Sequence, residues 1–212
     1  MDKILELKRK EGLIFCCSGP SGVGKDTLIS ELKAIFPQLE HSVSATTRAP
    51  RAGEVDGIDY HFCSHQEFER LLAAGEIIEY DVFCDNYYGT MASVIRESIA
   101  SGRDLILDIT VKGSLNLKAQ FPEAVLIFIL PPSEAALVER LKARRTEAED
   151  VVRRRVAQAR LEVREARHFD YIIINDTIRN AVSALEAIVV AEGQRSIRFE
   201  LPYEEQTAHP EV

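Results

Sequence analysis

The chain has 212 residues, of which 46% are hydrophobic and 28% are charged, a composition typical of one soluble globular domain. These proportions argue against wholesale disorder and against a fibrous repeat. The formal net charge is −8, so the chain lacks the broad positive field that drives non-specific binding to nucleic acids or anionic membranes. Any anionic ligand therefore requires a local basic site.

The sequence predicts a cytoplasmic protein with no membrane, nucleic-acid or obligate protein partner. A long apolar run, Ala124 to Leu130, ends at Pro131 and is far shorter than the roughly 20 residues of a membrane-spanning helix. The first ten residues alternate charged and apolar side chains, unlike a secretion signal. The four cysteines form no C-x-x-C pair, which favours reduced thiols over a disulfide or a zinc site.

Apolar runs of strand length alternate with helical patterns along the chain. Strands that are apolar throughout are those covered by helices on both faces, so we predict a parallel sheet in a three-layer α/β fold. Ligands of such sheets bind beyond the carboxyl ends of the strands, here near Ser18, Asp108 and Asn175. The predicted strands are Gly12 to Cys17, Leu105 to Ile109, Val125 to Leu130 and Tyr171 to Ile174.

Two stretches interrupt this alternation. Residues 42–91 are rich in glycine, tyrosine and charge and contain one predicted helix, Gln66 to Ala74, so we expect an inserted lobe. Residues 140–155 are dense in charge, which is typical of a mobile lid. The single domain then consists of this lobe, this lid, a core over 1–41, 92–139 and 156–193, and a frayed tail over 194–212.

A glycine-rich segment between the first strand and the first helix predicts a phosphate-binding loop. The segment Gly19-Pro-Ser-Gly-Val-Gly-Lys25 fits G-x-x-x-x-G-K in the context that this motif requires. Glycines let N–H groups converge on phosphate oxygens, the helix N-terminus adds partial positive charge, and Lys25 adds a full one. The expected phosphate contacts are Gly19, Pro20, Ser21, Gly22, Val23, Gly24, Lys25, Asp26 and Thr27.

Two segments of the predicted lobe closely resemble the GMP-binding segments of guanylate kinases. They are Ser44-Ala-Thr-Thr-Arg48-Ala-Pro-Arg51-Ala-Gly-Glu-Val-Asp-Gly-Ile-Asp-Tyr60 and Glu79-Tyr-Asp-Val-Phe-Cys-Asp-Asn-Tyr-Tyr88-Gly-Thr90, and the resemblance extends from about Gly12 to about Ala191. It implies a P-loop kinase fold and phosphorylation of GMP or dGMP by ATP with Mg²⁺. It places the GMP phosphate at Arg48, Arg51, Tyr60 and Tyr88, and the rest of GMP at Ser44, Glu79, Thr90 and Asp108.

The same resemblance implies that the phosphate loop binds ATP, and it adds further residues on the ATP side. It brings Arg140, Arg144 and Arg155 from the lid to the ATP phosphates and places Asn175 beside the adenine. The expected catalytic residues are Lys25, Arg48, Arg140, Arg144 and Arg155. The alternative for the lid arginines is a solvated helix face paired with nearby glutamates.

Elementary chemistry supports the expected GMP site independently of the family. Two arginines three residues apart can converge on one phosphate, and tyrosine hydroxyls can complete its hydrogen bonds. Guanine presents N1–H and N2–H₂ as adjacent donors, which the Glu79 carboxylate accepts and which adenine does not supply. A buried acceptor left unpaired costs about 1–3 kcal/mol, so the wrong base is penalised. Taken singly, each side chain would more often be a surface charge or a core aromatic.

Three positions depart from the family pattern. Asp26 stands where the general phosphate loop has Ser or Thr, Thr110 stands where the family has Asp, and Arg145 replaces a glycine of the lid. We expect Asp26 to support the hydration shell of Mg²⁺, with Asp108 as the second candidate. The alternative is that Asp26 only stabilises the first turn of its helix.

Two other functions stay open. Asp26, together with the missing Asp at position 110, also resembles ribose 1,5-bisphosphate kinases, which are related to guanylate kinases; Glu79 and the Tyr-Tyr-Gly-Thr run argue instead for a base-reading site. A non-catalytic guanylate-kinase-type binding module is the third possibility, and the intact Lys25 argues against it.

Overall fold

A computed structural model describes residues 7–83, 85–143 and 149–200, which form eleven strands and seven α-helices. The strands are Lys8–Arg9 (β1), Ile14–Ser18 (β2), Glu40–His41 (β3), Ala45–Thr46 (β4), His61–Phe62 (β5), Ile77–Phe83 (β6), Asn86–Met91 (β7), Leu105–Asp108 (β8), Val125–Leu130 (β9), Tyr171–Ile174 (β10) and Phe199–Glu200 (β11). The helices are Lys25–Ile35 (α1), His65–Ala73 (α2), Ala92–Ala100 (α3), Val111–Gln120 (α4), Glu134–Ala143 (α5), Glu149–Glu165 (α6) and Ile178–Gly193 (α7).

The central sheet is parallel and has the order β10-β9-β2-β8-β3. Successive residues of β2 point to opposite faces, and both faces are covered. Phe15 and Cys17 pack with apolar residues of α1 and α7, whereas Ile14 and Cys16 pack with residues of α3 and α4. This double burial explains why the strand is apolar throughout and confirms the predicted three-layer α/β fold.

The predicted strands agree with this sheet, with small differences at their ends. The bounds of β9 and β10 are those predicted. The first strand begins at Ile14 rather than at Gly12, which donates its N–H to Ile99 O at 2.8 Å. A Cβ atom at Gly12 would lie 2.0 Å from the Arg103 oxygen, so a close backbone approach, not a strand, explains this glycine.

A second sheet, of order β5-β4-β7-β6, is built from residues between 45 and 91. Helix α2 packs on it through Phe68, which is fully buried against Ala45 and Ile77. The helix predicted over Gln66 to Ala74 is observed one residue earlier, because Ser64 accepts a hydrogen bond from the Glu67 N–H and caps its N-terminus.

The segment predicted as a lid has helical ends. Arg140 lies within α5 and Arg155 within α6, and the two helices pack through Leu137, Leu141 and Val152. Residues 144–148 lie outside the described residues, and with them Arg144 and Arg145.

The prediction of a frayed tail from residue 194 is wrong for residues 194–200. A 3₁₀ turn, Ser196–Arg198, leads into β11, which pairs with β1. The Arg198 side chain is 9% exposed and donates to Glu192 at 3.1 Å. These contacts hold the segment in place, whereas residues 201–212 lie outside the described part. Among the described helices, none has the length and apolar character needed to cross a bilayer.

Candidate active site

The loop between β2 and α1 has the backbone geometry of a phosphate-binding turn. Gly19 and Gly24 have φ angles of 145° and 97°, which L side chains rarely adopt. A Cβ atom at Gly19 would lie 2.2 Å from Ile129 O, and one at Gly24 would lie 2.9 Å from Asn175 Nδ2. The loop therefore requires glycine at both ends, and its N–H groups lead into the N-terminus of α1.

Two of the residues that were predicted on the ATP side donate hydrogen bonds to the backbone of this loop. The buried Asn175 donates Nδ2–H to Val23 O at 2.8 Å, and Arg140 donates to the same oxygen at 3.0 Å. The Arg140 guanidinium also donates to Asn175 O at 2.9 Å. In this structure both residues therefore act on the shape of the phosphate loop.

The basic and acidic groups of the site meet at the carboxyl ends of β2 and β8. Lys25 Nζ lies 3.3 Å from Gly19 O and 3.6 Å from Asp108 Oδ1. Burial raises the pKa of Asp108 to about 7, and the hydrogen-bonded Asp26 carboxyl also raises it, while Lys25 acts in the opposite direction. Two carboxyl groups and one ammonium group thus lie together where phosphates would bind.

This group of charges fits a magnesium ion that is bound jointly with phosphates. Mg²⁺ keeps several waters and takes one or two carboxylates, the rest of its ligands being substrate oxygens. Asp26 and Asp108 supply such a pair, beside the phosphate loop. Within residues 7–83, 85–143 and 149–200, no cluster of three or more His, Cys, Asp or Glu is placed to hold a metal by itself.

A cleft of about 430 Å³ runs from the phosphate loop to the second sheet. It brings together eight of the residues predicted from the sequence: Gly19, Ser21, Lys25, Ser44, Glu79, Tyr88, Thr90 and Asp108. Residues that the sequence reasoning did not assign also line it, among them Asp81, Thr110 and Glu162. The two ends of this cleft differ in chemistry, with the glycine loop and Lys25 at one end and the side chains of Ser44, Glu79 and Thr90 at the other.

Glu79 lies at the second end of the cleft and is held there by α4. Its Oε2 atom accepts from Thr110 Oγ1 at 2.6 Å and from the Thr110 N–H at 3.0 Å. Burial raises the pKa of Glu79, while the hydrogen bonds from Thr110 and the Thr90 side chain lower it. A half-buried, oriented carboxylate of this kind can recognise a pair of adjacent N–H donors.

The predicted phosphate-binding arginines occupy the loop beside this cleft. Arg48 forms a two-pronged ion pair with Glu54, at 2.8 and 2.9 Å, and lies 5.3 Å from the centre of the Tyr60 ring. The Tyr60 ring in turn lies 6.0 Å from Tyr88, which lines the cleft. Glu54 also accepts the Arg51 N–H at 2.7 Å, so one carboxylate joins both arginine positions.

Helix α6 reaches the phosphate loop through Arg155, which donates to Ser21 Oγ. Ser21 itself lines the cleft. This contact places one predicted lid arginine at the phosphate end, whereas Arg144 falls outside the described residues.

Two contacts were missed by the sequence reasoning. Glu54 stands three residues after Arg51, and an acid so close to two arginines was a usable signal of an ion pair. The bond between Thr110 and Glu79 joins residues 31 positions apart, so nothing local in the sequence indicates it.

The five-stranded parallel sheet, the glycine loop and Lys25 define a P-loop phosphotransferase with a second binding region. The family model described as guanylate kinase matches residues 12–192. The guanylate kinase of Geobacter metallireducens is 47% identical over 190 residues, which cover 90% of this chain and 94% of that protein. That of Halalkalibacterium halodurans is 44% identical over 186 residues, covering 88% and 91%.

A solved structure agrees with these relatives. The crystal structure of guanylate kinase from Anaplasma phagocytophilum has a TM-score of 0.67 and 31% identity, covering 91% of this chain and 92% of its own. The chain belongs to the guanylate kinase family.

Proposed function

We propose that the protein transfers the γ-phosphoryl group of ATP to the phosphate of GMP or dGMP. The observation that carries this proposal is the single cleft that joins Lys25 and the phosphate loop to Glu79 and Thr90. If the donor phosphates bind at one end of the cleft and guanine binds at the other, the acceptor phosphate fits between them. Family membership over nearly the whole chain supports the same assignment.

On the ATP side, the chain positions phosphates and stabilises charge. The loop N–H groups and the N-terminus of α1 bind the phosphates, while Lys25 and Arg155 supply positive charge. A GMP phosphate oxygen forms a bond to the γ-phosphorus as the bond from this phosphorus to the departing ADP oxygen breaks. No general base is needed, because the attacking phosphate is already largely ionised at neutral pH.

A bound magnesium ion would add positive charge on this side of the site. We propose that Asp26 and Asp108 hold Mg²⁺, in part through water, and that the ion supplies neutralisation of the polyphosphate charge. The contribution of the chain is the fixed position of the two carboxyl groups at the ends of the loop and of β8.

On the GMP side, we propose that the acceptor phosphate replaces Glu54 as the partner of Arg48. Both terminal nitrogens of the guanidinium already donate to a carboxylate, and a phosphate can accept the same two hydrogen bonds. Arg51, Tyr60 and Tyr88 are the further proposed ligands of this phosphate. Glu79, with Ser44 and Thr90, reads the guanine, and we propose that Asn175 lies beside the adenine.

A coupled assay with ATP and a panel of acceptors tests the proposal. We expect turnover with GMP and dGMP and little with AMP, UMP or ribose 1,5-bisphosphate, since none of these offers Glu79 the N1–H and N2–H₂ donors. Turnover with ribose 1,5-bisphosphate alone would identify the sugar phosphate kinase instead. GMP binding without turnover would identify a binding module.

Lys25→Ala provides the matching test of the donor end. We expect kcat to fall by about 10²–10³, the usual loss when one charge contact to the transition state is removed. Lys33→Ala removes a lysine from the last turn of the same helix and is the control. Near-normal turnover by Lys25→Ala would contradict the proposed site. The cytoplasmic location and the absence of other partners remain predictions from the sequence.

A further inference from the structure

The contact between Thr110 and Glu79 joins two parts of the protein at the base-reading end of the cleft. Thr110 is the N-cap of α4, and Glu79 belongs to β6 of the second sheet. The register of β6 against β7 shifts between Ile77 and Glu79, and Asn116 of α4 donates to Ile78 O at 3.2 Å. Strand irregularities of this kind re-aim a side chain, and here the re-aimed side chain is Glu79.

The hydrogen bonds of the Thr110 hydroxyl fix where its proton points. Oγ1 accepts from the Gly113 N–H at 3.0 Å, which caps the helix, and lies 2.6 Å from Glu79 Oε2. A hydroxyl has one proton, and the carboxylate is the acceptor on its other side. Both the hydroxyl and the backbone N–H of Thr110 therefore donate to one carboxylate oxygen, Oε2.

Gly113 supplies the space for this arrangement. A Cβ atom at this position would lie 2.3 Å from Glu79 Oε2, so any other residue would push the carboxylate away from the first turn of α4. The carboxylate also gains from the partial positive charge of the helix N-terminus. An aspartate at position 110 could cap the helix but, when ionised, could not donate to Glu79.

We propose that Thr110 is a positioning residue for guanine recognition, holding Glu79 Oε2 so that the carboxylate turns Oε1 toward the base edge of GMP. This inference rests on the proposed function, because it assumes that guanine binds at this end of the cleft. Because Thr110 acts through its contact with Glu79, its effect falls on GMP affinity rather than on phosphoryl transfer.

Steady-state kinetics of Thr110→Val and Thr110→Ser test the proposal. We expect Thr110→Val to raise the KM for GMP about tenfold, as expected for loss of a hydrogen bond to a charged group, with kcat and the KM for ATP changed less than about twofold. Thr110→Ser keeps the hydroxyl and should restore the KM for GMP. An unchanged KM for GMP in Thr110→Val, or an equal rise for ATP, would overturn the proposal.

Two further variants separate positioning from helix capping. Thr177 caps α7 through the Asn180 N–H at 3.2 Å and is exposed like Thr110, so Thr177→Val loses a matched cap without touching Glu79. It should lower the melting temperature and leave the KM for GMP unchanged. Gly113→Ala keeps the Thr110 hydroxyl but displaces Glu79, and we expect it to raise the KM for GMP. A normal KM for GMP in Gly113→Ala also overturns the proposal.

Carbon-13 NMR of the Glu79 carboxyl group, without nucleotide, separates this inference from the proposed function. Burial, and to a lesser degree Asp81, raises the pKa of Glu79, while Thr110 and Thr90 lower it, so Thr110→Val should displace the Glu79 titration to higher pH. An unchanged titration, with normal GMP turnover by the wild type, refutes the inference alone. A displaced titration in a protein that does not phosphorylate GMP refutes the proposed function and leaves only the effect of Thr110 on the Glu79 carboxylate.

Discussion

The buried carboxyl group of Asp108 should make the stability of the protein depend on pH. We expect Asp108→Asn to remove most of this dependence. The Asp108 side chain is 23% exposed, and its burial together with Asp26 raises its pKa from 3.8 to about 7 despite Lys25 at 3.6 Å. The amide has nearly the same shape as the acid and does not ionise, so it reproduces the neutral form at every pH.

The sign follows from which state binds the proton. Between about pH 4 and pH 7 the unfolded chain releases the Asp108 proton while the folded chain keeps it, so the free energy of unfolding falls as pH rises. Each pH unit between the two pKa values is worth about 1.4 kcal/mol. The change in the pKa of Asp108 from 3.8 to about 7 therefore corresponds to a loss of at most about 4 kcal/mol in the free energy of unfolding. This loss is complete above pH 7 and absent below pH 4.

Urea unfolding of the wild type and of Asp108→Asn at several pH values between 4 and 8, without nucleotide or Mg²⁺, measures this difference. The variant should be the more stable protein at pH 8, and this advantage should shrink toward pH 4. Asp176→Asn is the control of opposite sign, because the Thr177 N–H and Asn180 lower the pKa of Asp176. The ionised Asp176 carboxylate of the wild type stabilises the folded state, and this contribution is lost as pH falls. A difference between wild type and Asp108→Asn that stays constant with pH would refute the reasoning.

Three more predictions concern ligands. Glu79→Gln adds donors to an acceptor group, so GMP should bind more weakly while ATP binding, measured by calorimetry, stays the same; equal weakening would mean a structural role. Arg144→Ala and Arg155→Ala should each lower kcat more than GMP affinity, because lid arginines act on the closed complex; normal turnover in both would favour the solvated helix face. Asp26→Ala should raise the Mg²⁺ concentration needed for half-maximal turnover; an unchanged Mg²⁺ curve with a small drop in melting temperature would leave only the first-turn role.

The parts of the fold that were predicted well are those whose sequence signal is local. Strands β9 and β10 were predicted with their observed bounds because Val125–Leu130 is followed by prolines and Tyr171–Ile174 lies between polar residues. The phosphate loop was predicted because its glycines and Lys25 are contiguous and follow a strand. Each of these signals lies in residues that are contiguous in the sequence.

Apart from the local contacts of Glu54 with Arg48 and Arg51, the contacts that were missed depend on packing between distant segments. The placement of residues 194–200 rests on Arg198, whose partners Glu192 and Glu123 come from the end of α7 and from the segment before β9. Likewise, Thr110 and Glu79 meet only because α4 packs against β6. A polar residue far from its partner looks like a solvated surface residue until the fold places the two together.

The pairing of β1 with β11 has a practical consequence for work with this protein. Lys8 and Glu200 are direct neighbours, and the adjoining Arg198 contacts Glu123 just before β9 begins. The β1–β11 pair therefore lies at the amino-terminal end of the central strands, opposite the phosphate loop. A short linker from residue 200 to residue 8 should permit a circular permutant with new ends in an exposed turn such as the one at Gly102. A surface tether or a fluorophore attached near the β1–β11 pair would likewise leave the nucleotide cleft open to its substrates.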